Sequence, residues 1–185
     1  MKSRFANREM NRGMTRSMAL GLAPALLVIL PLCSARAAAQ GSDRGLARVT
    51  LGKVKVSIDY GRPTLKSRDP LSMIAPGEIW RVGSDAPTTF DSTQDLVFDG
   101  VRVPRGKHYL LVRYITKGAW SLLFSSKPPE DYEPSAKVAE VPIRLETSKD
   151  PDNELTIRLE GHGERCTLII SWGSLRLTGI FSAAK

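Results

Sequence analysis

Four cations and two aromatic rings fall within residues 59–81: Arg62, Lys66, Arg68 and Arg81, with Tyr60 and Trp80. Guanidinium groups offer forked donors to a carboxylate or phosphate, and the rings offer stacking faces. With Asp59 and Asp85 at its borders, the segment reads as a site for a polar or anionic ligand. The competing reading makes Tyr60 and Trp80 anchors of a loop, while the cations stay solvated or pair with Asp59 and Asp69. A loop needs anchors whatever it does. Trp80 and Arg81 are adjacent, so in an extended chain one packs and the other points outward.

Other chemistry has thinner support. Asp59, Asp85 and His108 would serve general acid–base catalysis in a hydrolase or isomerase, provided the fold brings them within hydrogen-bond reach. No Gly-x-Ser-x-Gly elbow is present, and Ser84, Ser121 and Ser171 have no base partner visible in sequence. His162-Gly163-Glu164-Arg165-Cys166 holds three ligand types, but Gly161 and Gly163 on either side of His162 indicate a turn and no second cluster completes a tetrahedral metal set. There is no glycine-rich phosphate loop or dinucleotide fingerprint. No cofactor or metal is expected.

The scaffold that must position these residues is β. Val54, Val56, Ile58 and Tyr60 alternate with polar residues, as do Leu155, Ile157 and Leu159, and Val141, Ile143 and Leu145. A period of two puts one face on a core and one in water. Tyr109–Ile115, Trp120–Phe124 and Thr167–Trp172 are apolar on both faces, as central strands are. Asp99-Gly100 is a favoured type I′ pair, and Pro104-Arg105-Gly106, Lys117-Gly118, Gly161-His162-Gly163 and Gly173-Ser174 supply further turns. No amphipathic helical pattern is sustained. The expected fold is all-β: a single antiparallel β-sandwich or partly open barrel of about nine short strands. Two Pro-rich segments, Gly61–Ile79 and Ser125–Ala136, interrupt the strand rhythm as long loops.

The N-terminus has the three parts of a secretory signal. Lys2, Arg4, Arg8, Arg12 and Arg16 form a basic leader, Met18–Leu32 runs without a charge, and small-x-small patterns follow at Ala35–Ala39. A spanning helix needs about twenty apolar residues, and this run is shorter and broken by Pro24 and Pro31. The expected organisation is a signal peptide over 1–39, a short flexible stretch over 40–46 and one β domain over 47–182. The product would be periplasmic or extracellular, without a transmembrane span. The alternative is a lipoprotein anchored through Cys33, although Leu32 is bulky where a lipobox has a small residue.

Cleavage changes the charge balance. Six of the 27 basic residues and one of the 19 acidic ones lie in residues 1–39, so the net +8 of the whole chain falls to +3. That excess does not call for a nucleic-acid partner. Only Cys166 remains after cleavage, which precludes an intrachain disulfide. It leads an apolar run and reads as a packed thiol rather than a nucleophile.

Several of these stretches also resemble a known family. Ile58-Asp59-Tyr60-Gly61-Arg62-Pro63-Thr64-Leu65-Lys66-Ser67-Arg68 resembles the "DYSRPxxKGR" segment of the bacterial DUF2911 family. Ile79–Thr88 is similar to its "VWRTGANEAT" hallmark, and Val103–Leu111 to a "LPAGTYSLF" turn and strand. Trp120–Ser125 is similar to "WTVIFN", and Ile170–Gly173 to "LEWG". The resemblance spans nearly all of the expected mature chain in order and spacing. It implies an exported bacterial domain of undefined activity. Asp85-Ala86 stands where the family has Asn-Glu, and His108 where it has Tyr; an Ala cannot act as acid or base.

Together these readings favour a non-catalytic binding module. Its ligand-binding residues would be Asp59, Tyr60, Arg62, Lys66, Arg68, Trp80, Arg81 and Asp85, and its partner a polar or anionic small ligand, a glycan or an envelope protein. The rival classes are the Asp59/Asp85/His108 enzyme and a structural cell-envelope interaction protein.

Overall fold

Two β-strands of 26 and 19 residues organise the chain. The computed structural model describes residues 43–67 and 69–185. The leader, its cleavage site, Cys33 and Arg68 lie outside the described residues.

In chain order the strands are β1 (Arg44–Leu51), β2 (Val54–Gly61), β3 (Ile79–Trp80), β4 (Thr89–Ser92) and β5 (Leu96–Phe98). There follow β6 (Val101–Val103), β7 (Gly106–Thr116), β8 (Ala119–Ser125), β9 (Lys137–His162) and β10 (Arg165–Ala183). They form one antiparallel sheet in the order β1-β2-β4-β7-β8-β9-β10-β5-β6, with β3 paired to β7 beside this path. The two end strands, β1 and β6, do not pair with each other, so the sheet is not closed into a barrel.

The sheet folds over on itself through β9. The first part of β9 pairs with β8 (Trp120↔Ile143), whereas its last part pairs with the start of β10 (Ile170↔Ile157). β1 packs against that last part, where a Cβ on Gly161 would meet Val49 and Leu51. Inward residues of the two layers thus share one core. Phe90 and Phe124 from β4 and β8 meet at 5.1 Å between ring centroids, Phe98 and Phe181 from β5 and β10 at 4.8 Å, and Phe98 reaches Phe124 at 5.6 Å. All four rings are fully buried. Burying each such side chain stabilises the fold by about 1.5–3 kcal/mol.

The expected Asp99-Gly100 turn is present: both residues have positive φ (44° and 81°), as a type I′ turn demands. Two other expectations change. Residues 141–145 and 155–159 are parts of one strand, not two. The ladder steps from Leu175↔Thr147 to Gly173↔Asp152, so residues 148–151 have no partner on β10. Ser148, Asp150 and Pro151, residues that favour turns, are absorbed in that excursion, with the Ser148 hydroxyl bonded to the Asp150 carbonyl at 2.7 Å. Gly173-Ser174 is likewise a bulge inside β10 rather than a hairpin, with Gly173 at φ 57°. The strands are therefore ten among the described residues, two of them long, and β1 already begins at Arg44.

The long 62–78 loop is tied to the excursion in β9. Leu65 N–H donates to Asn153 at 2.7 Å and Leu155 N–H to Pro63 at 3.1 Å. A 3-10 turn over Pro70–Ser72 follows, with the Asp69 carboxylate accepting from Leu71 N–H. Leu65 and Pro70 lie directly over Gly173.

Candidate functional site

The residues expected to bind ligand are used mainly to hold two loops in place. Asp59 points outward from β2, and its Oδ1 accepts from Arg44 Nε at 2.8 Å and lies 2.6 Å from Arg44 Nη2. The same guanidinium donates to the Ala86 carbonyl at 3.1 Å. Tyr60 is buried over Gly45, its cross-strand partner, and donates its hydroxyl proton to Ile157 O at 3.3 Å. Arg62 pairs with Glu154 at 2.7 Å. Its Nε is buried without a hydrogen-bond partner among the described residues. Arg81 is exposed and donates to the Asp85 carbonyl. Lys66 projects from a turn at φ 49° and makes no ion pair among the described residues.

Trp80 and Trp172 stack at 6.0 Å with planes 10° apart, which fixes β3 against β10. Trp80 packs and Arg81 points out, the division that alternation requires.

The segment 82–85 is the most constrained backbone in this region. Val82 has φ 48°, Gly83 φ 113° and Asp85 φ 56°. A buried, β-branched residue at positive φ is an outlier, and such conformations cost about 1–3 kcal/mol and persist only when their surroundings over-determine them. The surroundings do so here. The Thr88 hydroxyl donates to Val82 O, Arg44 holds Ala86, Arg81 holds Asp85, and the Ser84 backbone lies against Gly61. Position 86 enters this lattice through its carbonyl, which an Ala supplies as well as a Glu.

The acid–base grouping is not assembled around Asp59 and His108. Ile58, Phe90 and His108 are in register across β2, β4 and β7, so their side chains share the core-side face. His108 sits edge-on to Phe124 and bonds to the Pro104 carbonyl at 2.8 Å. Asp59 lies one residue further along and so faces the opposite side.

Ser121 does acquire a carboxylate partner that sequence spacing could not reveal. It donates to Glu140 Oε1 at 2.8 Å, on the face of β8 and β9 away from the core. Lys137 Nζ lies 3.1 Å from Glu140 Oε2, and Arg113 Nη1 lies 3.4 Å from Oε1. Burial pushes the Glu140 carboxyl up, but the hydrogen bonds from Ser121 and Lys137 and the Arg113 charge outweigh it and hold it below the usual carboxylate range. A carboxylate so stabilised is a poor base for activating a hydroxyl. Cys166 is buried, and desolvation, helped by the Glu160 charge, pushes its thiol up to about 12. That is the opposite of an activated nucleophile. Among the described residues no group of three His, Cys, Asp or Glu side chains could hold a metal ion.

A concavity of about 660 Å³ lies elsewhere, on the outer face of β9, β10 and β5. Alternation along β10 turns Leu175, Leu177 and Phe181 inward and leaves Arg176, Thr178, Ile180 and Ser182 on this face. Arg144 is the cross-strand partner of Thr178, and Glu146 of Arg176. Arg165 and Thr167 enter from the start of β10, and Asp99-Gly100 from the β5–β6 turn. Arg176 Nε lies 3.5 Å from Glu146, which also accepts from Thr178 Oγ1 at 3.4 Å. The side chains of Arg144 and Arg165 form no ion pair among the described residues. The sequence signal for this face was the polar half of two alternating strands whose apolar halves define the core.

No curated protein and no solved structure matches the chain. Residues 42–179 match the family described as "Protein of unknown function (DUF2911)". That match takes in β1 through most of β10, including both loops and most of the outer face just described, and the chain belongs to the DUF2911 family.

Proposed function

We propose that this chain is a non-catalytic binding domain that works outside the cytoplasm and holds an anionic ligand in the cavity of β9, β10 and β5. The observation that carries the reading is the pair Arg144 and Arg165, two arginines among the residues that line a 660 Å³ cavity, neither with an ion partner among the described residues. Cavities of about 300–1,000 Å³ take small molecules, and a few well-placed polar groups orient them. Arg62 and Arg81, by contrast, are engaged in holding loops. The basic, apolar and small-residue parts of the leader support export.

Titration calorimetry with inorganic phosphate and sulfate tests this function. A charge-assisted hydrogen bond contributes about 1.5–3 kcal/mol, so Arg144→Ala or Arg165→Ala weakens binding by roughly ten- to a hundredfold. Arg62→Ala leaves it unchanged. Absence of binding by the wild type, or equal binding by all four proteins, overturns the proposal.

A further inference from the structure

The cavity is not uniform along its length. Its cationic part is formed where Arg144 lies opposite Thr178 and Arg176 opposite Glu146. Two residues further along β10 the same face carries Ile180, which is 55% exposed, more than any other large hydrophobic side chain among the described residues. A lone exposed Ile would need no explanation. This one is flanked on both sides. Pro142 precedes Arg144 by two residues and so shares its face on β9, and Val97 on β5 pairs with Ser182, one diagonal step from Ile180. Pro142, Ile180 and Val97 thus make an apolar strip across three adjacent strands, all lining the cavity.

We infer that the ligand is a small amphiphilic oxyanion, a phosphate or carboxylate head on Arg144 and Arg165 with a short apolar body laid over Pro142, Ile180 and Val97. This inference rests on the binding function proposed above and specifies its ligand class. The strand rise sets the scale. Thr178 and Ile180 are about 7 Å apart along β10, so a head opposite Thr178 places a chain of a few carbons on Ile180. Three arginines face two acids, Asp99 and Glu146, around the cavity, and Glu146 is engaged by Arg176 and Thr178. The charge left over favours an anion. The volume of 660 Å³ fits a small soluble molecule rather than a two-chain lipid.

Calorimetry of the whole protein with a homologous series tests this: inorganic phosphate, then methyl, propyl and butyl phosphate at constant salt. Each methylene that leaves water in the cavity raises affinity by about three- to fourfold. Ile180→Ser, an exposed position whose change leaves the thermal midpoint in place, flattens the series while retaining the affinity for inorganic phosphate. A series that is flat in the wild type, with phosphate still bound, overturns the apolar-body inference but not the anion site. Failure of every member to bind overturns the proposed function itself. Butyl glucoside binding as tightly as butyl phosphate overturns the anionic head. Co-sedimentation with phosphatidic acid vesicles, without binding of the short esters, overturns the small soluble ligand.

Discussion

The Ser84 backbone crosses Gly61 so closely that a Cβ at position 61 would lie 2.2 Å from the Ser84 carbonyl oxygen and 2.9 Å from its nitrogen. Both groups are main chain, so no side-chain rotation relieves the overlap. The contact joins the end of β2 to the loop of positive-φ residues at 82–85, and it explains why the segment can hold Val82 in a conformation it disfavours. Gly61→Ala is expected to destabilise the protein by about 3 kcal/mol, the upper part of the range for overpacking. Urea unfolding checks it; an unchanged midpoint would show that the two loops separate freely.

Acid stability should depend on Glu140. Its folded-state pKa is depressed, so its contribution is present above the pKa of the unfolded chain and is lost as the pH falls through the folded value. Wild type is expected to be more stable than Glu140→Gln at pH 7, with the two converging below about pH 4, near the reference value for Glu. Thermal midpoints recorded from pH 7 to pH 3 measure the difference. A gap independent of pH would remove the ion cluster from the account.

At the alkaline end the sign reverses for Cys166. Its folded pKa is raised to about 12, so the stability it contributes is complete below the unfolded value near 9 and is lost as the pH rises toward the folded one. The advantage of wild type over Cys166→Ala should shrink by about 1.4 kcal/mol per pH unit across that window. Denaturant midpoints at pH 8, 9 and 10 test the slope. Rapid thiol labelling of the native protein at pH 8 would contradict the buried, protonated state.

Export predicts a defined mature N-terminus. Mass spectrometry of the protein recovered from cells is expected to find Gln40 as the first residue. A diacylglyceryl group on Cys33 would replace signal cleavage by lipid anchoring, and an intact Met1 would contradict export.

The sheet was legible because alternation in β2 and β9 reports directly which face is buried, runs apolar on both faces mark β7 and β8 as central strands, and Asp99-Gly100 reports its own turn. The continuity of β9 was not, because Ser148–Pro151 carries the residues of a hairpin while the strand pairs on either side of it. Tyr60, Trp80 and the cations near them were visible as a cluster, but charge in a sequence does not show its partner. Glu154 lies 92 residues from Arg62, and Ala86 42 residues from Arg44. The cavity escaped for a related reason: Arg144, Arg165 and Thr178 are brought onto one surface by the course of β9 and β10, and each alone is an ordinary outward residue of a strand.

Backbone amide chemical shifts recorded while butyl phosphate is added to the protein test the central claim most directly. The account predicts that the largest changes map to Arg144, Arg165, Thr178 and Ile180, with residues 59–67 and 79–86 unaffected. A map centred on Arg62, Trp80 and Arg81 instead would contradict it and return the binding site to the long loop.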